Sequence, residues 1–535
     1  MDSGGDDLNQ KRIFTWSVCG VILLSALVRL YRIDAPIVDG FWDKQIAMAN
    51  LSRDMAGPPF HLLNASYDFA ISPDGQRMAH TEEIPLYHGL VAAGYKIFGE
   101  QDWFARTLSA AGSLLAIAAL AGLMRREYGY VFGLVAGAIF AFCPLLLYYG
   151  RAVVPDTCML GFMLAAAYSF RRGLDENSLA WMIVCGLAGL MAVAFKYFGL
   201  IVLLPLAEMA WRGRGARGLK KLCLPAIIMI VPLAAWMLLV FFRTSNPTSH
   251  FVYFIFQQPG ILLESKFWAR LADRFVWKSC GPVTAVLMGV GLHAKGVRTI
   301  FRSVSTFTGE NSSDPFYRAI VAWTIMGLGF YFLLGPAAWG HEYYELVMLP
   351  GAAAWAAVGW CFLFRRRVEN SRLGRFQIPV GTCLLVVAAV VHSPWVSNGR
   401  FKQDTGFMIA AESAAKHCSP HGRIVAGPFT PQPIIHYARR EGWAWQEFPD
   451  DLQAMLDRCK EHGAECVVLY FDRKITPVER RRYDPLIESL PVLEHLSGHW
   501  GLGETPCEIY VLQLRDDDFK TKQIATKPQS AGGNE

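Results

Sequence analysis

Long apolar runs, separated by short basic clusters, occupy the chain from residue 13 to residue 395. A helix needs about 20 mostly apolar residues to cross a bilayer, and by that measure the sequence predicts about eleven spans. The predicted spans are 13–31, 105–124, 130–149, 155–171, 178–195, 197–211, 222–242, 279–294, 316–335, 343–363 and 376–395. The pattern therefore predicts a mainly α-helical, polytopic transmembrane bundle.

The pattern changes near residue 398, where strand-like and helix-like pieces begin to alternate as in a small water-soluble α/β domain. Strands are predicted at 422–427, 465–471 and 508–514, and helices at 431–442 and 450–463. The predicted division is a transmembrane domain over residues 1–397, an α/β domain over 398–515, and a polar, disordered tail over 516–535.

Two predicted external segments are long, residues 32–104 and residues 243–278. The first contains the run 85–99, which is too short and too polar to span a bilayer. An interfacial helix along the membrane surface is predicted there, with Tyr87, Tyr95 and Phe98 at the boundary.

Basic residues indicate the orientation of the predicted bundle. Charged residues make up 18% of the chain and the net charge is +6, without the basic stripe that nucleic-acid binding requires. With eleven spans, the basic clusters between apolar runs fall on one side, which the positive-inside rule assigns to the cytoplasm. We expect a multi-pass protein of the plasma or inner membrane, with a cytoplasmic N-terminus and an extracytoplasmic C-terminal domain.

The 12 cysteines divide into two groups. Eight lie in or beside apolar runs, where small buried hydrophobes are expected. Cys418, Cys459, Cys466 and Cys507 lie in the predicted α/β domain, where an oxidising compartment would allow one or two disulfides. Because the sequence contains no CxxC pair, we expect no zinc site.

Charged side chains beside membrane spans are costly and are candidate functional residues. Asp39 and Asp43 follow the first span, and Trp42 adjoins the second of them. A carboxylate beside apolar rings is poorly solvated, which makes it a better general base near neutral pH. The alternative is that these acids are solvated residues of an ordinary loop.

Lys196, in the sequence AFKYFG, interrupts an apolar stretch. A lysine there costs about 2.5–3.5 kcal/mol on insertion scales. Lys196 either extends toward the lipid headgroups or binds an anionic group such as a phosphate. Further candidates at the external ends of predicted spans are Glu83, Arg106, Arg151, Asp156, His341, Tyr343 and Tyr344.

In this order, the motifs resemble the C-type membrane glycosyltransferases over roughly residues 15–360. The protein O-mannosyltransferases and the bacterial transferases of aminoarabinose to lipid A are the most similar branches by pattern. The resemblance rests on the acidic first external segment, Glu83-Ile84-Pro85, FGEQDWFAR at 98–106, Arg151 with Pro155-Asp156, the Lys196 segment, and His341-x-Tyr343-Tyr344.

The resemblance implies an enzyme that moves a hexose or pentose from a polyprenyl phosphate to a glycan, lipid or protein acceptor on the extracytoplasmic face. It implies inversion, with Asp43 or Asp39 as general base and Glu83 supporting it. Lys196, Arg151 and His341 would stabilise the departing lipid phosphate. The remaining implied substrate-binding residues are Lys44, Gln45, Arg106, Asp156, Tyr343 and Tyr344. No cofactor or metal is expected.

The sequence departs from the family at one point. When the chain is aligned on Ser52-Arg53-Asp54-Met55, the acidic pair of the family falls on Lys44-Gln45. Two other functions therefore stay open: a catalytically inactive lipid-binding relative, and a transporter or flippase. The sequence shows no internal repeat, and its charges lie at one end of the spans, which argues against transport. In the C-terminal domain, His436, Trp443 and Trp445 are candidates for a sugar-stacking surface or for core residues.

Overall fold

The computed structural model describes most of the chain. The described ranges are 3–63, 65–71, 75–79, 83–243, 259–296, 318–334, 339–364, 400–428, 431–445, 451–472 and 475–514. The predicted span 376–395 and the predicted tail 516–535 lie outside them. The chain divides into two compact units. The helical unit comprises Met1–Ala35 and Thr81–Arg400, and the α/β unit comprises Pro36–His80 and Phe401–Glu535.

Helices dominate the described residues. In chain order they are α1 Ser3–Leu30, α2 Trp42–Ala56, α3 Leu86–Phe98, α4 Asp102–Tyr128, α5 Tyr130–Ala141, α6 Pro144–Tyr149, α7 Asp156–Glu176, α8 Leu179–Phe195, α9 Leu203–Arg243, α10 Ser265–Arg274, α11 Pro282–Gly291, α12 Arg318–Leu333, α13 Leu349–Phe364, α14 Gly406–His417, α15 Gln432–Ala438, α16 Leu452–Glu461, α17 Pro477–Arg481 and α18 Asp484–Ser489. The 3-10 segments Tyr197–Val202 and Glu342–Met348 precede α9 and α13.

Within the described residues, four helical stretches are long and apolar enough to cross a membrane, and a pair bent by 111° makes a fifth if counted as one span. The four are Asn9–Leu30, Asp102–Tyr128, Gly215–Phe242 and Glu342–Leu363, and the bent pair is Ser265–Ser279 with Pro282–Ala294. These helices are those of a polytopic membrane protein. The number of eleven spans and the orientation of the termini stay predictions.

Several predicted spans are not single α-helices. The run 130–149 is divided, since α5 ends at Ala141 and α6 begins at Pro144. Proline has no N–H to continue a helix but suits a first turn. The Arg29 guanidinium donates to the carbonyls of Ala141 (3.3 Å) and Leu146 (3.2 Å), on either side of the break. The stretch α9 is likewise two helices, which meet at Gly215 with φ of 56°.

The α/β unit contains a five-stranded sheet of order β4-β3-β5-β7-β6. Its strands are β3 Arg423–Gly427, β4 Gly442–Ala444, β5 Ala464–Phe471, β6 Val492–Gly501 and β7 Thr505–Gln513, and β1 Ser66–Ile71 and β2 Arg77–Ala79 form a separate hairpin. Strand β3 is parallel to β4 and β5, while β7 is antiparallel to β5 and β6. The side chains of Val425, Val467, Leu469 and Leu512 form its core with the helices.

The predicted strands 422–427, 465–471 and 508–514 coincide with β3, β5 and β7, whereas β4 and β6 have no counterpart in the prediction. A disulfide joins Cys418 and Cys466, and Cys459 and Cys507 are buried thiols. Residues 36–80 belong to the α/β unit by their contacts, although the sequence-based division groups them with residues 1–397. Hydropathy carries no information about such distant partners.

Candidate functional site

The candidate residues form two groups, one in each unit. In the helical unit the central residue is Lys196. Helix α8 ends at Phe195, and Lys196 takes an extended conformation (φ −162°, ψ 126°) before the 3-10 segment begins. A Cβ atom on Gly199 would lie 2.6 Å from the backbone carbonyl carbon of Ala192, so this close return of the chain requires glycine. The break turns the Lys196 side chain out of the regular helix.

The Lys196 ammonium is buried against a carboxylate and aromatic rings. Its Nζ donates to Asp156 Oδ1 at 2.8 Å, and both side chains are 3% exposed. Asp156 is at the first position of α7. Nζ also lies 4.7 Å from the ring centroid of Tyr343 and 5.0 Å from that of Tyr344. A buried charge needs such partners, and aromatic faces attract cations.

Other predicted residues of the helical unit lie around this pair. The Glu83 carboxylate acts electrostatically on Lys196 and on both tyrosines. Arg106 is fully buried, and its charge, like that of Asp156, acts on Tyr87 of α3. Of the predicted residues, Asp156, Tyr343 and Tyr344 therefore contact Lys196, and Glu83 acts on it electrostatically.

Two carboxylates anchor the 3-10 segment that presents the tyrosines. Glu342 accepts from Arg400 at 2.8 Å and from the Tyr149 hydroxyl at 3.2 Å. Glu345, fully buried, accepts hydrogen bonds from Arg274 Nε and the Ser279 hydroxyl. His341 stacks on Tyr343 with centroids 5.3 Å apart. No local sequence signal indicates these anchors, since their partners are far away in the chain.

Arg151, which the sequence predicts as a phosphate ligand, contacts backbone carbonyls in the structure. Its guanidinium donates to the backbone carbonyl of Tyr31 and, at 2.6 Å, to that of Arg32. Both carbonyls follow directly on α1, where backbone acceptors lack helical partners. Arg151 therefore caps the first helix, and its proposed part in phosphate binding stays a prediction.

In the α/β unit, the predicted acids lie at the start of α2. Asp39 is 1% exposed, and its Oδ1 accepts from Gln45 Nε2 at 2.8 Å. Asp43 lies in the first turn of α2, partly buried beside Lys44, where the helix dipole favours a negative charge. Among the residues that the structure describes, none forms a hydrogen bond or ion pair with the Asp43 side chain.

The aromatic candidates of the α/β unit belong to its interior. His436 is 1% exposed and Trp445 is 7% exposed, so neither forms a sugar-stacking surface. Arg53 donates to the His436 carbonyl at 2.8 Å and lies 2.8 Å from its Nδ1. Burial, together with the charges of Arg53 and Arg439, holds the pKa of His436 well below its ordinary value. Trp443 packs beside the core of the sheet. In the described ranges, no group of three or more His, Cys, Asp or Glu residues could hold a metal ion.

Comparisons with known proteins relate this arrangement to one class of enzyme. Residues 82–241 match the family described as dolichyl-phosphate-mannose-protein mannosyltransferase. No curated protein matches the sequence significantly. Among solved structures, ArnT from Cupriavidus metallidurans, bound to undecaprenyl phosphate, aligns with TM-score 0.59 at 13% identity over 94% of this chain and 98% of that one.

Two further structures share the fold. The oligosaccharyltransferase AglB from Archaeoglobus fulgidus, in complex with an inhibitory peptide and a dolichol-phosphate, has TM-score 0.54 and 14% identity over 91% of this chain and 74% of that one. The arabinofuranosyltransferase AftD from Mycobacteria has TM-score 0.55 and 14% identity over 94% and 40%. At these identities the likeness establishes the fold and leaves the substrates open.

Proposed function

We propose a function from the premise that this chain has the fold of the C-type membrane glycosyltransferases, the resemblance that its motifs predict and that the comparisons confirm. We infer that it transfers a sugar from a polyprenyl-phosphate donor to an acceptor on the extracytoplasmic face. The donor lipid is of the class seen with two of the similar structures, namely undecaprenyl phosphate and a dolichol-phosphate.

The observation that supports this proposal most is that the Lys196–Asp156 pair has hydrogen-bond donors and an acceptor that are not used within the described residues. An ammonium has three donors. Across the described ranges, Asp156 Oδ1 is the one hydrogen-bond acceptor of Lys196 Nζ. The buried Asp156 Oδ2 has no hydrogen-bond partner in the same ranges. A phosphate oxygen on Lys196 and a sugar hydroxyl on Asp156 would satisfy both groups, so the pair suits a sugar phosphate.

The proposed reaction is an in-line displacement. A carboxylate, Asp43 or Asp39, takes the proton of the acceptor group. The acceptor atom then forms a bond to the anomeric carbon while the bond from that carbon to the phosphate oxygen breaks, and the configuration inverts. The leaving oxygen keeps the electron pair as part of the lipid phosphate, whose charge Lys196 stabilises. Base catalysis of this kind contributes about 10²- to 10⁴-fold in rate.

A transfer assay tests the proposal. The full chain, reconstituted in liposomes, is supplied with undecaprenyl-phosphate-linked mannose or arabinofuranose, labelled in the sugar, and release of undecaprenyl phosphate is measured. We expect turnover that Lys196→Ala lowers by about 100-fold or more, since charge stabilisation of one developing anion is worth about 10²–10³. Lys96→Ala, at an exposed lysine of α3, is the matched control and should keep full activity. Full activity in Lys196→Ala would refute the assignment.

One alternative has support from the chain itself. The acidic pair of the family is replaced by Lys44-Gln45, and the Gln45 amide occupies one oxygen of Asp39. A lipid-binding protein without transferase activity would have the same Lys196 site. Binding of undecaprenyl phosphate that requires Lys196, with no turnover of either donor, would favour this function. Counter-transport of a labelled lipid-linked sugar in the same liposomes would instead favour a transporter.

A further inference from the structure

We propose that residues 401–514 are a positioning scaffold for residues 37–56, the stretch of the α/β unit that carries both candidate bases. Residues 37–56 are called the acidic segment below. The inference deepens the proposed function and rests on it. It assigns a task to the C-terminal part of the chain, which the sequence leaves open.

The first contacts fix the backbone just before Asp39. The Ile37 N–H donates to the Tyr437 hydroxyl at 2.6 Å, and the Asp404 N–H donates to the Val38 carbonyl at 2.8 Å. Ile37 and Val38 are fully buried. Two hydrogen bonds therefore hold the residues that precede the carboxylate, one with Tyr437 of α15 and one with Asp404, two residues before α14.

The second contact fixes the start of α2, where Asp43 lies. Trp42 packs edge-on against Phe407 of α14, with centroids 5.0 Å apart. Phe407 in turn contacts the ring of Tyr470 on β5, with centroids 4.6 Å apart. The Tyr470 hydroxyl donates to the buried Asp404 carboxylate, which links this stack back to the first contacts. The residue adjoining Asp43 is thus anchored in the core of the C-terminal residues.

The third contact fixes the far end of α2. Arg53 donates to the carbonyl of His436, a neighbour of Tyr437 in α15. The hairpin of β1 and β2 adds indirect support, because Arg423 donates to the Gly75 carbonyl at 3.1 Å and Arg77 lies 3.6 Å from Glu441. The acidic segment is therefore held before Asp39, beside Asp43 and at the last turn of α2.

A helix of 15 residues such as α2 is marginal in water without tertiary contacts. Base catalysis also requires the carboxylate within hydrogen-bond reach of the acceptor, and a displacement of about 1 Å can cost about 100-fold in rate. Packing against the C-terminal residues supplies the order that the segment lacks by itself. Tyr437, Phe407 and Arg53 are positioning residues in this scheme, since they act through the acids.

The test uses the full chain in liposomes with the undecaprenyl-phosphate-linked donors described above. Tyr437→Phe removes the acceptor of the Ile37 N–H and keeps the ring. Phe407→Leu replaces the ring that packs against Trp42 by a smaller side chain without a ring. Tyr510→Phe is the matched control. Tyr510 lies on β7, away from the acidic segment, and its hydroxyl accepts a hydrogen bond from Arg480 at 3.2 Å. We expect kcat to fall about 10-fold in the first two variants with an unchanged donor KM, and the control to match the wild type.

Hydrogen–deuterium exchange of the same preparations reports the contact independently of activity. Amides of the acidic segment should exchange faster in Tyr437→Phe and Phe407→Leu than in Tyr510→Phe. Unchanged exchange, or wild-type kcat in an active protein, would overturn the inference and leave the proposed function intact. A wild-type chain that turns over no donor while its exchange follows the expected pattern would refute the transferase function and leave the physical scaffold standing.

Discussion

Replacement of Lys196 by methionine separates the two tasks of the ion pair. Methionine fills a similar volume without charge and leaves the Asp156 carboxylate in a site where both side chains were 3% exposed. Removing one partner of a buried pair costs about 3–5 kcal/mol, because the remaining charge has no compensation. At this exposure solvent screening is slight, so we expect the free energy of unfolding to fall by about that amount.

The second variant provides the comparison. In Lys196→Met combined with Asp156→Asn, no charge is left to compensate, and neutral replacements of whole buried pairs are often neutral or stabilising. The double variant should therefore recover to within about 1 kcal/mol of the wild type, which means that it regains roughly 2–4 kcal/mol relative to Lys196→Met. Sugar transfer should be about 100-fold or more below the wild type in both variants, since neither has the ammonium that the proposed mechanism assigns to the leaving phosphate.

Stability is measured by denaturant-induced unfolding in mixed micelles, and transfer by the liposome assay with the same protein batches. A double variant as unstable as Lys196→Met would show that the loss comes from packing and not from an uncompensated carboxylate. A double variant that transfers sugar at the wild-type rate would remove Lys196 and Asp156 from the site altogether.

Three further outcomes are expected. One of Asp43→Asn and Asp39→Asn should lower kcat about 10²- to 10⁴-fold at constant donor KM in the transfer assay, and wild-type rates in both would exclude a base at either position. Because the pKa of His436 is held well below its ordinary value, the unfolded chain binds that proton first as the pH falls. The stability contribution is complete above about pH 6.5 and decreases below it by up to about 1.4 kcal/mol per pH unit. In urea unfolding at several pH values, the free energy of unfolding of His436→Gln should depend less steeply on pH than that of the wild type. An equally steep pH dependence would contradict this role of His436. Gly199→Ala should cost about 1–3 kcal/mol and reduce transfer, since its Cβ would lie 2.6 Å from the backbone of α8, whereas Gly20→Ala has open space and should be neutral in thermal unfolding.

The sequence predicts the helical class well because an apolar run of about 20 residues is a local signal. The interruptions are not local. The break between α5 and α6 is stabilised by Arg29, more than one hundred positions earlier in the chain. The 3-10 segment at Glu342–Met348 is stabilised by Arg274 and Arg400. A hydropathy pattern contains no information about these distant partners, so it predicts one continuous span over 130–149.

The candidate site was partly predictable for a similar reason. A lysine in an apolar stretch needs a partner, which singles out Lys196 in the sequence. The sequence marks Asp156 only as a separate candidate at the external end of a predicted span, and its pairing with Lys196 is a finding of the structure. Arg151 carries the same sequence signal, yet it caps the backbone after α1. Charge alone does not distinguish a ligand-binding arginine from a capping one, because both need an acceptor at a membrane boundary.

The separation of Arg53 from His436, 383 positions along the chain, has a consequence for biosynthesis. At about 5–20 residues per second, roughly 20 to 80 seconds pass between synthesis of the two partners. During that interval the acidic segment has emerged without the residues that order it. Under the proposed function and scaffold, a ribosome that stops before the last quarter of the message would leave a polypeptide whose acidic segment is not ordered, and we expect that polypeptide to release no lipid phosphate.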